Sequence, residues 1–353
     1  MLKVLLVGGG TGGSITPLLA VQAEIKKENP ETQFFFIGPR TDDLAKNLAE
    51  KFGIPYQSIH AGKLRRYFDI KNLASPFLVM LGFLESLKII WQFKPDVVIS
   101  AGSFAAVPVG MAGWVFRIPL FIHQQDVIPS LTNLILSPFA HKITVALPSS
   151  LADFSSKKTI LTGNPVRKDI FDASLDKSRD FFSLKQDMPV ILVLGGGKGA
   201  FLINRLIYSL IPRLASFCQI IHLTGKNKSQ SLGYENYHQF EFLTSEIAFA
   251  YRAADIVVCR AGMGTLSEIS VLGKPAIVLP IANSHQEANA QYFLRKKAIR
   301  ALFGPEQNKK KLLEEIKLLI KNPYLRQQLS QNIKKIIHPD AASKIAKLII
   351  CKK

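Results

Sequence analysis

Short runs rich in Val, Ile and Leu recur along the chain, and most lead into a glycine or polar loop followed by a stretch of helical period. Runs that are apolar at successive positions and bounded by turn residues predict strands buried on both faces, as in parallel sheets. In the first half they begin within 3–20, KVLLVGGGTGGSITPLLA, and continue at 32–37, 97–100, 119–123 and 142–146. In the second half they begin within 189–207, PVILVLGGGKGAFLINRLI, and continue at 219–223, 256–259 and 276–280. Strand and helix alternate throughout, which predicts an α/β fold with right-handed crossovers.

The two glycine-loop segments repeat one layout, strand–GGGxG–helix, far apart in the sequence. That echo predicts two Rossmann-like domains, each with a phosphate-type loop after its first strand. Residues 162–167, TGNPVR, read as the joint. The expected division is an N-terminal domain 1–165 and a C-terminal domain 166–338, with a short amphipathic helix in 339–353 set apart behind His338-Pro339. Both loops also fit a dinucleotide pattern, Gly8-x-Gly10-x-x-Gly13 and Gly195-x-Gly197-x-x-Ala200. Such a site wants an acid at the end of the next strand to hold the ribose. The chain offers Gly38-Pro39-Arg40 and Thr224-Gly225-Lys226 there, which leaves only an NADP-type reading through Arg40.

The stretch 255–268, DIVVCRAGMGTLSE, concentrates the chemistry. A buried strand ends in a tight loop, and Thr265 is placed to cap a helix that begins at Leu266. Free N–H groups at a helix start, on the positive end of its dipole, make a site for phosphate or diphosphate. Glu268, expected in the first turn, would repel a phosphate. It either complements the dipole or receives the vicinal hydroxyls of a ribose.

One segment, 72–91, NLASPFLVMLGFLESLKIIW, carries two apolar stripes. Leu73, Phe77, Met80, Leu84, Leu87 and Trp91 form the first; Val79, Phe83 and Ile90 form the second. Only one can face the core of its own domain, so the other needs cover. The segment reads as too short and too charged to cross a bilayer. Lys63, Arg65, Arg66, Lys71 and Lys88 surround it, the composition of a surface that dips into anionic lipid. A helix buried on both sides in a large domain is the alternative.

The formal net charge of +19 calls for an anionic partner, and a membrane surface fits better than nucleic acid, because no aromatic–basic RNA-binding signature or zinc finger occurs. An apolar content of 48% excludes wholesale disorder. Cys218, Cys259 and Cys351 are far apart and lack metal-ligand spacing, which suggests a reducing cytosol without disulfides or zinc. Met1-Leu2-Lys3 runs directly into a strand, so no signal peptide is expected.

Taken in order, several motifs resemble one family. They are GGTGGSITPLLA (9–20), KPDVVISAGSFAAVPVGMAGW (94–114), IPLFIHQQDVIPSLTN (118–133), GNPVR (163–167), GGGKGA (195–200), CRAGMGTLSE (259–268) and HQEANA (285–290). The chain resembles the membrane-associated N-acetylglucosaminyltransferases of peptidoglycan synthesis, which make lipid II from lipid I. The resemblance implies the GT-B fold, two Rossmann-like domains facing across a cleft, with the last helix packing back on the N-terminal domain. It also implies transfer of GlcNAc from UDP-GlcNAc to the muramyl 4-hydroxyl of lipid I with inversion, without a cofactor, at the cytoplasmic face of the bacterial plasma membrane. By resemblance, Glu268 holds the ribose, while the backbone at Met263, Gly264 and Thr265 and the loop of Gly197 and Lys198 receive the diphosphate. Arg260, Leu266 and Ser267 join this binding set. Arg167 and the main chain at Leu243 lie by the nucleotide, and Gln286 and Asn289 by the GlcNAc hydroxyls. Thr11, Gly12, Gly13 and Ser14 meet the acceptor diphosphate. No Asp-x-Asp occurs, so no metal site is assigned.

Three departures from the family pattern bear on the base. Ser14 stands where many relatives have His, His123-Gln124-Gln125-Asp126 where many have HEQN, and Gly197-Lys198 where Ser-Gln is frequent. Asp126 and His123 are the candidate bases; a strand-end structural role for His123 and a loop cap for Asp126 are the alternatives. Competing functions are a glycosyltransferase of another lipid acceptor (diacylglycerol or polyprenyl), a nucleotide-sugar epimerase, and a non-catalytic membrane adaptor. Oligomeric state is not set by the sequence.

Overall fold

The apolar runs form two separate sheets, and every pairing in both is parallel. The structure, a computed structural model, describes all residues except Thr11, Thr41, 63–70, Gly197, Lys198 and 352–353, and only the backbone of 71–74. The chain divides into two units, Met1–Arg167 with Pro339–Lys353, and Lys168–His338.

The first unit runs β1 (Lys3–Val7), α1 (Thr16–Glu28), β2 (Gln33–Pro39), α2 (Asp43–Lys51), β3 (Tyr56–Ile59) and α3 (Lys71–Phe93). It continues with β4 (Val97–Ser100), α4 (Ala106–Val115), β5 (Leu120–Gln124), α5 (Leu131–Leu136), β6 (Lys142–Val145) and β7 (Thr159–Leu161). The second runs α6 (Leu175–Phe181), β8 (Val190–Leu194), α7 (Phe201–Leu214), β9 (Gln219–Leu223), β10 (Tyr237–Phe240) and α8 (Ile247–Ala253). After these come β11 (Ile256–Cys259), α9 (Met263–Leu272), β12 (Ala276–Val278), α10 (His285–Arg295), β13 (Arg300–Ala301), α11 (Lys309–Lys321) and α12 (Pro323–Ile333). The last helix, α13 (Ala341–Ile350), belongs to the first unit and packs on α1.

The strand orders are β3-β2-β1-β4-β5-β6-β7 and β10-β9-β8-β11-β12-β13. Strand β1 shows why the runs are apolar at every position. Val4 and Leu6 pack with Leu18 and Ile25 of α1 and with Ile345 and Ile349 of α13. Leu5 and Val7 point to the other face, against Ile89 and Ile90 of α3 and Val109 of α4. With helices on both faces, alternation has no polar side to supply.

The strands absent from the sequence reading are β3, β7, β10 and β13, and three of them are the outermost strands of their sheets. The fourth, β13, is the remaining edge. An edge strand is short and half wet, so YQSI at β3 and YHQF at β10 lack an apolar run.

Helix α3 resolves its two stripes. Ile90 is buried, with Phe83 and Leu87 packed against the same core. Phe77, Met80, Leu84 and Trp91, from the first stripe, are exposed. The expectation that this segment is too short and charged to cross a bilayer is corrected: Ser75–Phe93 has the length and a hydropathy of 1.3 that would suffice. Its packing is what ties it to the domain, together with Glu85, which accepts from the His60 backbone N–H at 2.7 Å and pairs with Arg40 at 2.7 Å. That pairing also occupies the Arg40 on which an NADP reading depended.

Candidate active site

In each sheet the strand order reverses beside the first strand, between β1 and β4 and between β8 and β11. Such switch points open a crevice at the carboxyl ends of the strands, and both glycine loops lie there.

In the first unit, Gly10 sits at φ 90°, a conformation that favours glycine, and its N–H donates to the carboxylate of Asp42. The Ser14 hydroxyl donates to the Gly9 carbonyl at 2.8 Å and accepts from the Gly9 N–H at 3.1 Å. Ser14 is buried, so these bonds make it a brace of the loop, where a substrate contact was expected. Gly12 and Gly13 are partly exposed in a turn leading to α1. Thr11 lies outside the described residues.

The loop after β5 is organised by Gln124. Its amide donates to the carbonyls of Asp126 at 2.8 Å and Ile128 at 3.1 Å, and its oxygen accepts from the Ser130 N–H and from Asn133. Gln125 donates to Ala101 after β4, and Asp126 is half-buried in the loop so formed. His123 is enclosed: Nε2 lies 2.9 Å from Asn164 Oδ1 and Nδ1 lies 2.9 Å from the Thr144 hydroxyl. The Asn164 oxygen can only accept, so Nε2 carries the proton and Nδ1 accepts from Thr144. Burial pushes the imidazole down to about 4, against the opposing pull of these two partners. With both nitrogens occupied and protonation disfavoured, His123 ties β5, β6 and the residue after Gly163 together. This corrects the reading of His123 as a base.

In the second unit the loop after β8 leads into α7, and Gly199, at φ 69°, backs directly onto the Thr224 carbonyl, leaving no room for a side chain. Gly197 and Lys198 lie outside the described residues. Helix α9 starts at Met263 with Gly262 as its cap. Two expectations are thereby corrected: Thr265 is inside the helix and is not its cap, and Glu268 lies in the second turn. The cause is local, since Gly262 takes the extended cap conformation at φ −70°, ψ 133°. The first N–H groups, of Met263, Gly264 and Thr265, have no intrahelical acceptor and stand at the positive end of the dipole.

Leu266 and Ser267 are turned to the helix and core. The Leu266 N–H donates to Gly262, its side chain is fully buried, and the Ser267 hydroxyl donates to the Met263 carbonyl at 2.7 Å. Glu268 is half-buried and accepts a 2.6 Å hydrogen bond from Tyr251, a fully buried ring on α8. Arg260 turns away from the helix start, donating to the Leu279 carbonyl at 2.8 Å, and burial lowers its pKa. It holds the loop after β12. Gln286 accepts from the Ile281 N–H in that loop, and Asn289 is fully buried, donating to the Ala261 carbonyl. Leu243 is buried at the start of the loop into α8. Arg167, in the first unit, has its guanidinium 5.8 Å from the centre of the Phe52 ring.

Sequence reasoning missed Asp42, Gln124 and Tyr251. Gln124 lay inside a motif but carried no signal of its own, and Asp42 and Tyr251 act only through distant contacts. Among the described residues no group of three or more His, Cys, Asp or Glu is placed to hold a metal.

Residues 4–145 match the glycosyltransferase family 28 N-terminal domain, and residues 190–345 match the glycosyltransferase family 28 C-terminal domain. A Bacillus cereus protein named UDP-N-acetylglucosamine–N-acetylmuramyl-(pentapeptide) pyrophosphoryl-undecaprenol N-acetylglucosamine transferase 2 is 37% identical over 91% of this chain and 92% of its own. A Clostridium tetani protein with the same transferase name is 34% identical over 98% of this chain and 97% of its own. Among solved structures, Acinetobacter baumannii MurG superposes with a TM-score of 0.73 at 24% identity, covering 99% of this chain and 100% of that one. The UDP-GlcNAc 2-epimerase of Neisseria meningitidis superposes almost as well, with a TM-score of 0.72 at 17% identity over 99% and 100% of the two chains. The fold therefore does not separate transferase from epimerase; the sequence relatives do. By both domains and by relatives that span nearly its whole length, the chain belongs to glycosyltransferase family 28, in the family of the pyrophosphoryl-undecaprenol N-acetylglucosamine transferases.

Proposed function

We infer that this chain is a UDP-GlcNAc-dependent N-acetylglucosaminyltransferase that converts lipid I to lipid II. The observation that carries this is the 34–37% identity, over 91–98% of the chain, to relatives named for that transfer. In the reaction the muramyl 4-hydroxyl attacks C1 of GlcNAc, the bond from C1 to the UDP oxygen breaks, and the hydroxyl proton passes to a base. Inversion at C1 follows from a single in-line displacement.

The N–H groups of Met263, Gly264 and Thr265 receive the leaving diphosphate, whose charge grows in the transition state. The Glu268 carboxylate takes the ribose hydroxyls, and Gln286 and Asn289 orient the sugar end from α10. In the first unit the Gly12–Gly13 turn receives the acceptor diphosphate. Asp126 takes the proton, held in place through its own backbone by Gln124. The reading of Arg260, Leu266 and Ser267 narrows to positioning the two loops, and Arg167 and the main chain at Leu243 remain assigned to the nucleotide.

Peripheral contact with anionic lipid, on the cytoplasmic side where UDP-GlcNAc is available, is supported by a continuous run of packed helices. Helices α3, α4 and α5 touch in series. They expose Phe77, Met80, Leu84 and Trp91, then Met111 and Trp114, then Leu131 and Leu134. An apolar patch of this kind marks an interaction surface. The basic residues expected beside it, Lys63, Arg65 and Arg66, lie outside the described residues, while Lys88 and Arg117 are exposed.

The test is transfer of labelled GlcNAc from UDP-GlcNAc to a lipid I analogue. Labelled lipid II is the expected product. Release of free ManNAc or UDP-ManNAc without glycosylated acceptor would overturn the reading in favour of an epimerase.

A further inference from the structure

A second pocket, remote from the glycine loops, has the features of a ligand site. It encloses about 450 Å³ and lies in the first unit, beneath the amino ends of β2 and β3. The glycine loop follows the carboxyl end of β1, so the five residues of that strand, about 16 Å, separate the two. Four aromatic rings form its walls, Phe34, Phe35, Phe52 and Phe93, with Phe35 and Phe93 5.3 Å apart between centroids.

Two polar side chains are built into this aromatic wall. Thr32 is 6% exposed, and its buried hydroxyl has no hydrogen-bond partner among the described residues. Gln22, on α1, is 5% exposed, and its carboxamide makes no hydrogen bond among the described residues. Burying polar groups without partners costs stability, so a native fold that keeps them has a ligand or an ordered water to satisfy them. Lys26 lines the same pocket one turn further along α1 and is exposed. The volume, the aromatic lining and the few convergent polar groups are those of a small-molecule site.

The chemistry narrows the ligand. A carboxamide presents a donor and an acceptor side by side, which pairs with the edge of a heteroaromatic base. Aromatic walls stack on its face. A lysine at the rim attracts an anion. We propose that this pocket binds a nucleoside monophosphate, with the base against Gln22 and Thr32 and the phosphate at Lys26. This site is separate from the UDP-sugar site assigned to the second unit.

The experiment titrates AMP into the full chain by calorimetry, with saturation-transfer NMR on the AMP ring protons. AMP should bind equally to the parent and to Glu268→Ala, which is aimed at the other nucleotide site. Gln22→Leu should weaken AMP roughly tenfold, as expected for loss of a bidentate base contact. Lys26→Ser, an exposed change that puts no core at risk, should weaken AMP but leave adenosine binding as in the parent. UDP affinity should be the same in Gln22→Leu as in the parent, so failure at this pocket and failure at Glu268 give separate readouts. Absence of AMP and UMP binding at millimolar concentration in Glu268→Ala would overturn the proposal. So would AMP binding indifferent to both Gln22→Leu and Lys26→Ser. A Gln22→Leu, Thr32→Val variant that gains stability in a chain that takes up no AMP would show a water-filled pocket, and would overturn it too.

Discussion

Glu268 does two things at once in the structure, and replacing it should separate them. Its carboxylate accepts from the buried Tyr251 hydroxyl at 2.6 Å and, in the proposed complex, from the ribose diol. Glu268→Ala removes both bonds. A hydrogen bond to a charged group is worth about 1.5–3 kcal/mol, so UDP should bind roughly 10- to 150-fold more weakly. Depriving the Tyr251 hydroxyl of this acceptor should also cost ~1–3 kcal/mol of folding stability. For a unit of this size that lowers the melting temperature by ~2–4 °C per kcal/mol. Glu268→Gln keeps an oxygen for Tyr251 but not the charge, so it should melt near the parent and still bind UDP more weakly. Tyr251→Phe should do the reverse, losing stability while keeping UDP affinity within a few-fold. Calorimetric titration of UDP, run beside thermal unfolding of the same samples, reads both quantities. A folded Glu268→Ala protein with parental UDP affinity would refute the ribose assignment, and one with parental melting would refute the bracing role.

Asp126→Asn should lower turnover by roughly 10²–10⁴ with UDP-GlcNAc affinity unchanged, and parental turnover would remove Asp126 as the base. His123 and His222 should make the fold acid-sensitive, because burial lowers the first from 6.5 to about 4 and the second from 6.5 to about 3. The folded state then binds fewer protons than the unfolded one, so this stability is complete above pH 6.5 and falls as pH drops towards 4, by on the order of 3 kcal/mol for His123. Denaturant unfolding of the parent and of His123→Gln measures it; identical slopes in that window would contradict the linkage. The chain has two tryptophans, Trp91 and Trp114, both exposed on the apolar helix face, so anionic vesicles should shift its emission to the blue. Phe77→Ser with Leu84→Ser should weaken vesicle binding at least roughly tenfold, and unchanged partitioning would place the lipid contact elsewhere.

Central strands, glycine loops and helix starts were readable from the sequence because each rests on local chemistry. A strand covered on both faces must be apolar at every position, as at Val4–Val7 and Ile256–Cys259, and a glycine loop opening a helix leaves its N–H groups bare wherever it occurs. The edge strands were not readable, because pairing with one neighbour makes no demand on composition. Helix α9 begins earlier than Thr265 suggested because the backbone at Gly262 sets the cap, and a glycine offers no side-chain signal of doing so. The two stripes of α3 were evident as a conflict, but only packing against Leu5, Val7 and Val109 decided which stripe stays outside. Side-chain roles depended most on tertiary structure. His123 in its motif reads as a base until Thr144 and Asn164 close on its two nitrogens, and Arg260 reads as a phosphate ligand until its guanidinium is found on the Leu279 carbonyl. Sequence supplies the groups capable of a reaction; which of them keep a free atom for the substrate is settled by neighbours far along the chain, because hydrogen bonds and burial are properties of the folded surroundings.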